Sequence, residues 1–229
     1  MSKKDYIIFG TIILVLAIIG SFWLNGELKE IDRISYDALK FKSEYEAYNG
    51  QINPASDKKY YELTLENDSL VKYSSYEEIF SVLDQGTGVI FLAFPTCPWC
   101  RSMLPTLMDS ASKAKITILY LNILEDRDIL KLNDKGKIIT EREGTDNYKQ
   151  LVSRLDKFLP AYDGLEVESI KRIYMPVVIF IKDGKVLGVE QSLKAYTERV
   201  EGDAYLPMNK EENKALAKIF NDYYQKIKK

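Results

Sequence analysis

The chain contains no histidine, and only two of its 229 residues are cysteine. The first absence removes Cys-His and Ser-His nucleophilic catalysis, together with imidazole metal ligation. The scarcity of cysteine nearly removes structural zinc, which needs about four cysteine or histidine ligands. Net charge is missing too: 32 basic residues face 34 acidic ones, so no basic surplus supports nucleic-acid binding. No internal repeat and no low-complexity tract occurs. What is present is an ordinary globular composition, 46% hydrophobic and 29% charged, long enough to build a core without staples.

One long stretch lacks charge. Residues 6–24 read YIIFGTIILVLAIIGSFWL, which as a helix spans roughly 28 Å, close to the hydrocarbon thickness of a bilayer. Lys3 and Lys4 precede it, and Glu27, Glu30 and Asp32 follow. The positive-inside rule therefore predicts a single-pass anchor in the cell membrane, with residues 1–5 cytoplasmic and the rest extracytoplasmic. Trp23 suits the interfacial belt at the outer end. A cleaved signal peptide competes with this, but it needs a small residue at position −3, where the available cuts place Ile18 or Ile19. The anchor is the expectation adopted, with the lipid bilayer as partner of residues 6–24.

Beyond it, residues 25–74 are charged with scattered apolar positions, and read as a helical stalk and N-terminal extension ending in a short edge strand over 60–65. Ser75 and Glu78 have capping-box spacing and open a helix through Ile79 and Leu83. Val89–Phe94 is a continuous apolar run, the pattern of a strand buried on both faces. Arg101 to about Lys113 shows helical spacing with Pro105 inside as a kink. Ile116–Ile123 and Pro176–Ile181 are further buried strands. The second turns through Asp183-Gly184 into Val186–Val189, an antiparallel hairpin. Between them lie a hairpin-like Asp134-Lys135-Gly136 turn and an amphipathic stretch from Tyr148 to Leu159. Asn209 and Glu212 cap a last helix. The order predicts an α/β sheet whose reactive groups sit at strand carboxyl ends, next to helix N-termini.

Cys97-Pro98-Trp99-Cys100 stands at such a junction. Only a thiolate attacks a disulfide, and the unpaired N–H groups of a helix N-terminus favour that anion. Cys97 is the candidate nucleophile, and Cys100, one turn in, the candidate resolving thiol. Pro98 suits the first turn, where its missing N–H would be unpaired anyway. Arg101 adds positive field or is simply solvated. An inert structural disulfide is the competing assignment, but so short a loop removes little unfolded-state entropy.

The segment Phe94-Pro95-Thr96-Cys97-Pro98-Trp99-Cys100 after VIFLAF resembles the active-site loop of the thioredoxin-like superfamily. Pro105, eight residues past Cys97, matches that family's helix-kinking proline. Met175-Pro176, with Gly184 eight residues on, matches its cis-proline and hairpin glycine. The resemblance covers about residues 75 to 228. It implies a thioredoxin-like α/β fold (a central mixed sheet flanked by helices) over residues 75–229, with a helical insertion at about 125–165. It also implies thiol-disulfide exchange with protein thiol or disulfide substrates, in which Met175, Pro176 and Trp99 contact substrate while Pro98, Arg101 and Pro105 shape or tune the centre. No cofactor, metal or nucleic acid is called for, and a membrane reductant partner would set the direction to reduction. Two departures stand out. The family's buried acid, six residues before the first cysteine, is replaced by Phe91. The dipeptide Pro98-Trp99 is nearer the Pro-Tyr of glutaredoxins than the Gly-Pro of thioredoxins. The arrangement looks like membrane-tethered, extracytoplasmic thioredoxin-like proteins of Gram-positive bacteria, some called bacteriocin-transport accessory proteins. An accessory or chaperone-like binding module with little redox turnover is the alternative.

Overall fold

The computed structural model describes residues 16–17, 20–21 and 35–229. The anchor expected over 6–24 lies outside the described residues apart from Leu16, Ala17, Gly20 and Ser21, which are helical and exposed. Among the described residues no helix is long and apolar enough to cross a membrane.

The centre is a five-stranded mixed sheet in the spatial order β3-β5-β4-β8-β9. Its strands are β3 (Val71–Tyr73), β4 (Gly88–Ala93), β5 (Ile118–Asn122), β8 (Val177–Lys182) and β9 (Lys185–Glu190). β3 and β4 run parallel to β5 on either side of it, while β8 is antiparallel to both β4 and β9. β4 and β8, the central pair, are buried at nearly every position, as their unbroken apolar runs require.

Helices α2 (Tyr76–Gln85), α3 (Pro98–Ala114) and α6 (Lys210–Lys228) cover the sheet. Their ends follow the local chemistry. Ser75 with Glu78, and Asn209 with Glu212, form reciprocal capping boxes at α2 and α6. Asp183 and Gly184 both have positive φ (49° and 72°), the backbone of a tight two-residue hairpin turn. Gly184 lies against the Asp84 backbone, so a side chain there would collide with it.

The expected boundary at residue 75 is too late. Residues 35–74 are no free stalk: α1 (Tyr36–Glu46) buries Ala38, Phe41 and Tyr45 in the main core, and Leu63, Leu65 and Val71 join them. The helix was legible, but its aromatic packing face was hidden among charges. Residues 60–65 also differ from the expected edge strand. They belong to no strand, and β3 occupies the sheet edge instead. Upstream, β1 (Ile52–Asn53) and β2 (Lys58–Lys59) form a minimal hairpin.

The insertion at about 125–165 is not purely helical. It opens with the hairpin β6 (Ile129–Leu132) and β7 (Ile138–Arg142), turning at the expected place with Gly136 at φ 69°. Helix α4 (Asp146–Leu155) follows, buries Tyr148, Leu151 and Leu155, and ends in a 3-10 turn over Asp156–Phe158. A short α5 (Lys194–Arg199) links β9 to α6.

Candidate active site

Cys97 follows β4 and caps the N-terminus of α3. Pro98 takes the first helical position, where no N–H partner is needed. Cys97 and Cys100 are joined by a disulfide, with Cα atoms 5.2 Å apart. The Cys100 amide donates to Cys97 Sγ at 3.1 Å. A thiolate on Cys97 would thus receive a backbone N–H and face the positive end of a 17-residue helix. Of the two, Cys97 is the more accessible, at 5% exposure against 0% for Cys100. Both cysteines are buried, and the order suits Cys97 as the sulfur a substrate reaches first.

The loop before β8 closes over the pair. The Met175–Pro176 peptide is cis, and the Met175 carbonyl oxygen lies 3.8 Å from Cys97 Sγ. Because β8 is antiparallel to β4, its start meets the end of β4, and so residues far apart in sequence converge. The structure therefore brings Cys97, Pro98, Cys100, Met175 and Pro176 together. Trp99 is half-buried against the core, its ring edge-on to Tyr196 with centroids 5.5 Å apart. Pro105 is inside α3, where its missing N–H interrupts the helical ladder.

Arg101 departs from the solvated alternative. It is fully buried, at 0% exposure. Nη1 donates to the Tyr45 carbonyl at 2.5 Å, and Nη2 donates to Asn49 Oδ1 at 2.7 Å and the Tyr61 carbonyl at 3.0 Å. The guanidinium also faces the rings of Tyr60 and Tyr61, 5.3 and 5.9 Å from their centroids. Burial disfavours its charged form, and the tyrosines oppose that only in part. Burial likewise pushes the Tyr60 hydroxyl up to about 12, with Tyr205 adding to the effect.

Two further groups border the disulfide loop. The Tyr60 hydroxyl donates to the Thr96 carbonyl at 2.8 Å, immediately before Cys97. Arg127 stacks over the Phe94 ring at 5.1 Å. Tyr45, Asn49, Tyr60 and Tyr61 went unseen in the sequence because nothing in their spacing links them to residues 36 or more positions away. Phe91, at the family's acid position, is fully buried in β4 and tilted against Tyr120, with centroids 6.0 Å apart. Glu212, a buried acid on α6, is held by Arg199 of α5.

A central mixed sheet flanked by helices, with a disulfide at the end of a central strand and a cis-proline loop beside it, fits a thioredoxin-like fold. Among solved structures, thioredoxin O2 from Arabidopsis thaliana in its oxidised state is similar over 58% of this chain and 95% of its own, with a TM-score of 0.33 and 15% identity. No protein-family model and no curated protein matches the chain.

Proposed function

We propose that this protein is a thiol-disulfide oxidoreductase acting on protein disulfides, tethered outside the cell membrane by residues 6–24. The observation that carries the chemistry is the Cys97–Cys100 disulfide at the N-terminus of α3, with the Cys100 amide on Cys97 Sγ. In the reducing direction, the Cys97 thiolate attacks a substrate sulfur, forming a mixed disulfide and releasing one substrate thiolate. The Cys100 thiolate then attacks Cys97 Sγ, the internal disulfide re-forms and the second substrate thiolate leaves. In the oxidising direction a substrate thiolate attacks Cys97 Sγ and Cys100 departs as thiolate. A second substrate thiolate then attacks the substrate sulfur of that mixed disulfide, forming the new disulfide and releasing Cys97 as thiolate. The cis-Pro176 loop, beside the reacting sulfur, is the surface against which a substrate strand would lie. The tether rests on the uncharged run 6–24 behind Lys3 and Lys4.

The test uses the full chain in membranes with a model protein disulfide. Cys97→Ser is expected to reduce exchange to the uncatalysed rate, and Cys100→Ser to accumulate mixed disulfides at Cys97. A purely binding, accessory role would leave the cellular phenotype intact in both variants. That outcome, or loss of the chain from carbonate-washed membranes, would remove the corresponding part of the assignment.

A further inference from the structure

The cysteine loop is held from both flanks by one stretch of chain. Ahead of Cys97, the Tyr60 hydroxyl binds the Thr96 carbonyl at 2.8 Å. After Cys100, the Arg101 guanidinium binds Tyr45, Asn49 and Tyr61. None of those acceptors is a carboxylate. Asn49 Oδ1 also accepts from the Leu63 amide at 3.1 Å, and its Nδ2 donates to the Leu63 carbonyl at 2.7 Å, so the amide is locked in place. The groups facing the guanidinium are therefore neutral: two carbonyls, one amide oxygen and tyrosine rings. An arginine keeps its charge even when buried. A full positive charge thus lies inside the protein 5.3 Å from the ring of Tyr60, whose hydroxyl binds the carbonyl of the residue before Cys97, and among the described residues no ion pair cancels it.

We propose that residues 45–61 are a working part of the redox centre: they position the Cys97–Cys100 loop and seat beside it the uncompensated charge of Arg101, which stabilises the reduced, thiolate-bearing state. This rests on the oxidoreductase function above. Arg101 and Tyr60 act here as positioning residues. The charge is the same in both redox states, but only reduction creates an anionic sulfur. The disulfide and two glutathione thiols give the Cys97 thiolate, the Cys100 thiol, glutathione disulfide and one proton. A nearby buried cation favours the product side of that equation and makes the centre more oxidising.

The test is the equilibrium constant of the full-length chain in glutathione buffers at neutral pH, read by thiol trapping. Arg101→Gln is expected to lower the constant about tenfold, roughly 30 mV toward the disulfide. Asn49→Asp gives the guanidinium a carboxylate at the cost of the Nδ2 bond to the Leu63 carbonyl, and is expected to lower the constant about threefold or more in the folded chain. Arg101→Lys retains charge and is expected to stay within about threefold of wild type. The proposal is overturned if the folded Arg101→Gln and Asn49→Asp chains keep the wild-type constant within about twofold, or if Arg101→Lys falls as far as Arg101→Gln. Should Arg101→Gln not fold, Asn49→Asp decides alone. A wild-type chain that fails to exchange with glutathione would instead defeat the oxidoreductase function itself, a distinguishable result.

Discussion

Residues 35–74 and residues 124–147 both lie outside the strand-helix-strand winding around the cysteines, yet they are built in opposite ways. The first contributes Ala38, Phe41, Tyr45, Leu63, Leu65 and Val71 to the main core and supplies the hydrogen bonds that hold the cysteine loop. The second contributes nothing to that core. Its hairpin carries Ile129, Leu130, Leu132, Ile138 and Ile139, all half-buried or exposed. The segment that looked like a charged stalk is structural, and the one with the denser run of aliphatics stands apart. Apolar content in a window does not report burial; what matters is whether the side chains meet a partner surface. Phe41 meets one, against Tyr45, Tyr73 and Tyr120 at 4.7, 6.4 and 4.8 Å between ring centroids.

The contrast is most easily broken at Phe41. Its ring is 0% exposed and packed on three aromatic neighbours, so Phe41→Ala should cost about 3–5 kcal/mol through lost burial and a cavity. Urea denaturation of the oxidised chain measures this. A loss below about 1 kcal/mol would mean that α1 is peripheral after all and that residues 35–74 resemble the insertion.

Most of what positions the sulfurs was legible in the sequence, because it is written locally. The Ser75 and Asn209 capping boxes, Pro98 at the first turn of α3, the buried runs of β4 and β8 and the Asp183-Gly184 turn each need only a few neighbouring residues. The boundary at residue 75 and the solvated alternative for Arg101 failed for one shared reason. Arg101 meets Tyr45, Asn49 and Tyr61 across 40 to 56 positions, and no periodicity encodes that meeting. The residue at the family's acid position is a further case: Phe91 marks a missing anion, and Arg101 is legible as a source of positive field, but its burial depends on contacts 40 or more positions away.

A smaller effect probes the other side. Replacing residues 130–141 by a short Gly-Ser turn removes β6, β7 and the Leu130 amide bond to the Tyr162 hydroxyl at 2.9 Å. With no main-core side chain lost, the change should cost no more than about 1 kcal/mol, and shortening the loop offsets part of it. Unfolding should remain a single transition, and exchange with glutathione should keep its wild-type equilibrium constant. A loss comparable to Phe41→Ala would show that the hairpin supports the fold and would erase the distinction.

The finest test concerns how the insertion manages charge. Asp128 Oδ1 is buried without a hydrogen-bond partner among the described residues. Burial pushes its carboxyl above the ordinary range, with Glu143 adding to this and Arg172 and Arg127 opposing it. A group with a raised folded pKa favours folding fully only below its unfolded value near 3.8, and that contribution is lost as pH rises through the folded value. At neutral pH the ionised carboxylate is therefore a burden on the fold. Asp128→Asn, which cannot ionise, should stabilise the chain at neutral pH by up to about 0.5 kcal/mol, a figure kept small because the group is partly exposed. Below about pH 3.5 the two chains should unfold at the same urea concentration. Destabilisation at neutral pH would mean that Arg127 and Arg172 depend on the carboxylate. The insertion would then be held together by charge as firmly as residues 35–74 are held by packing.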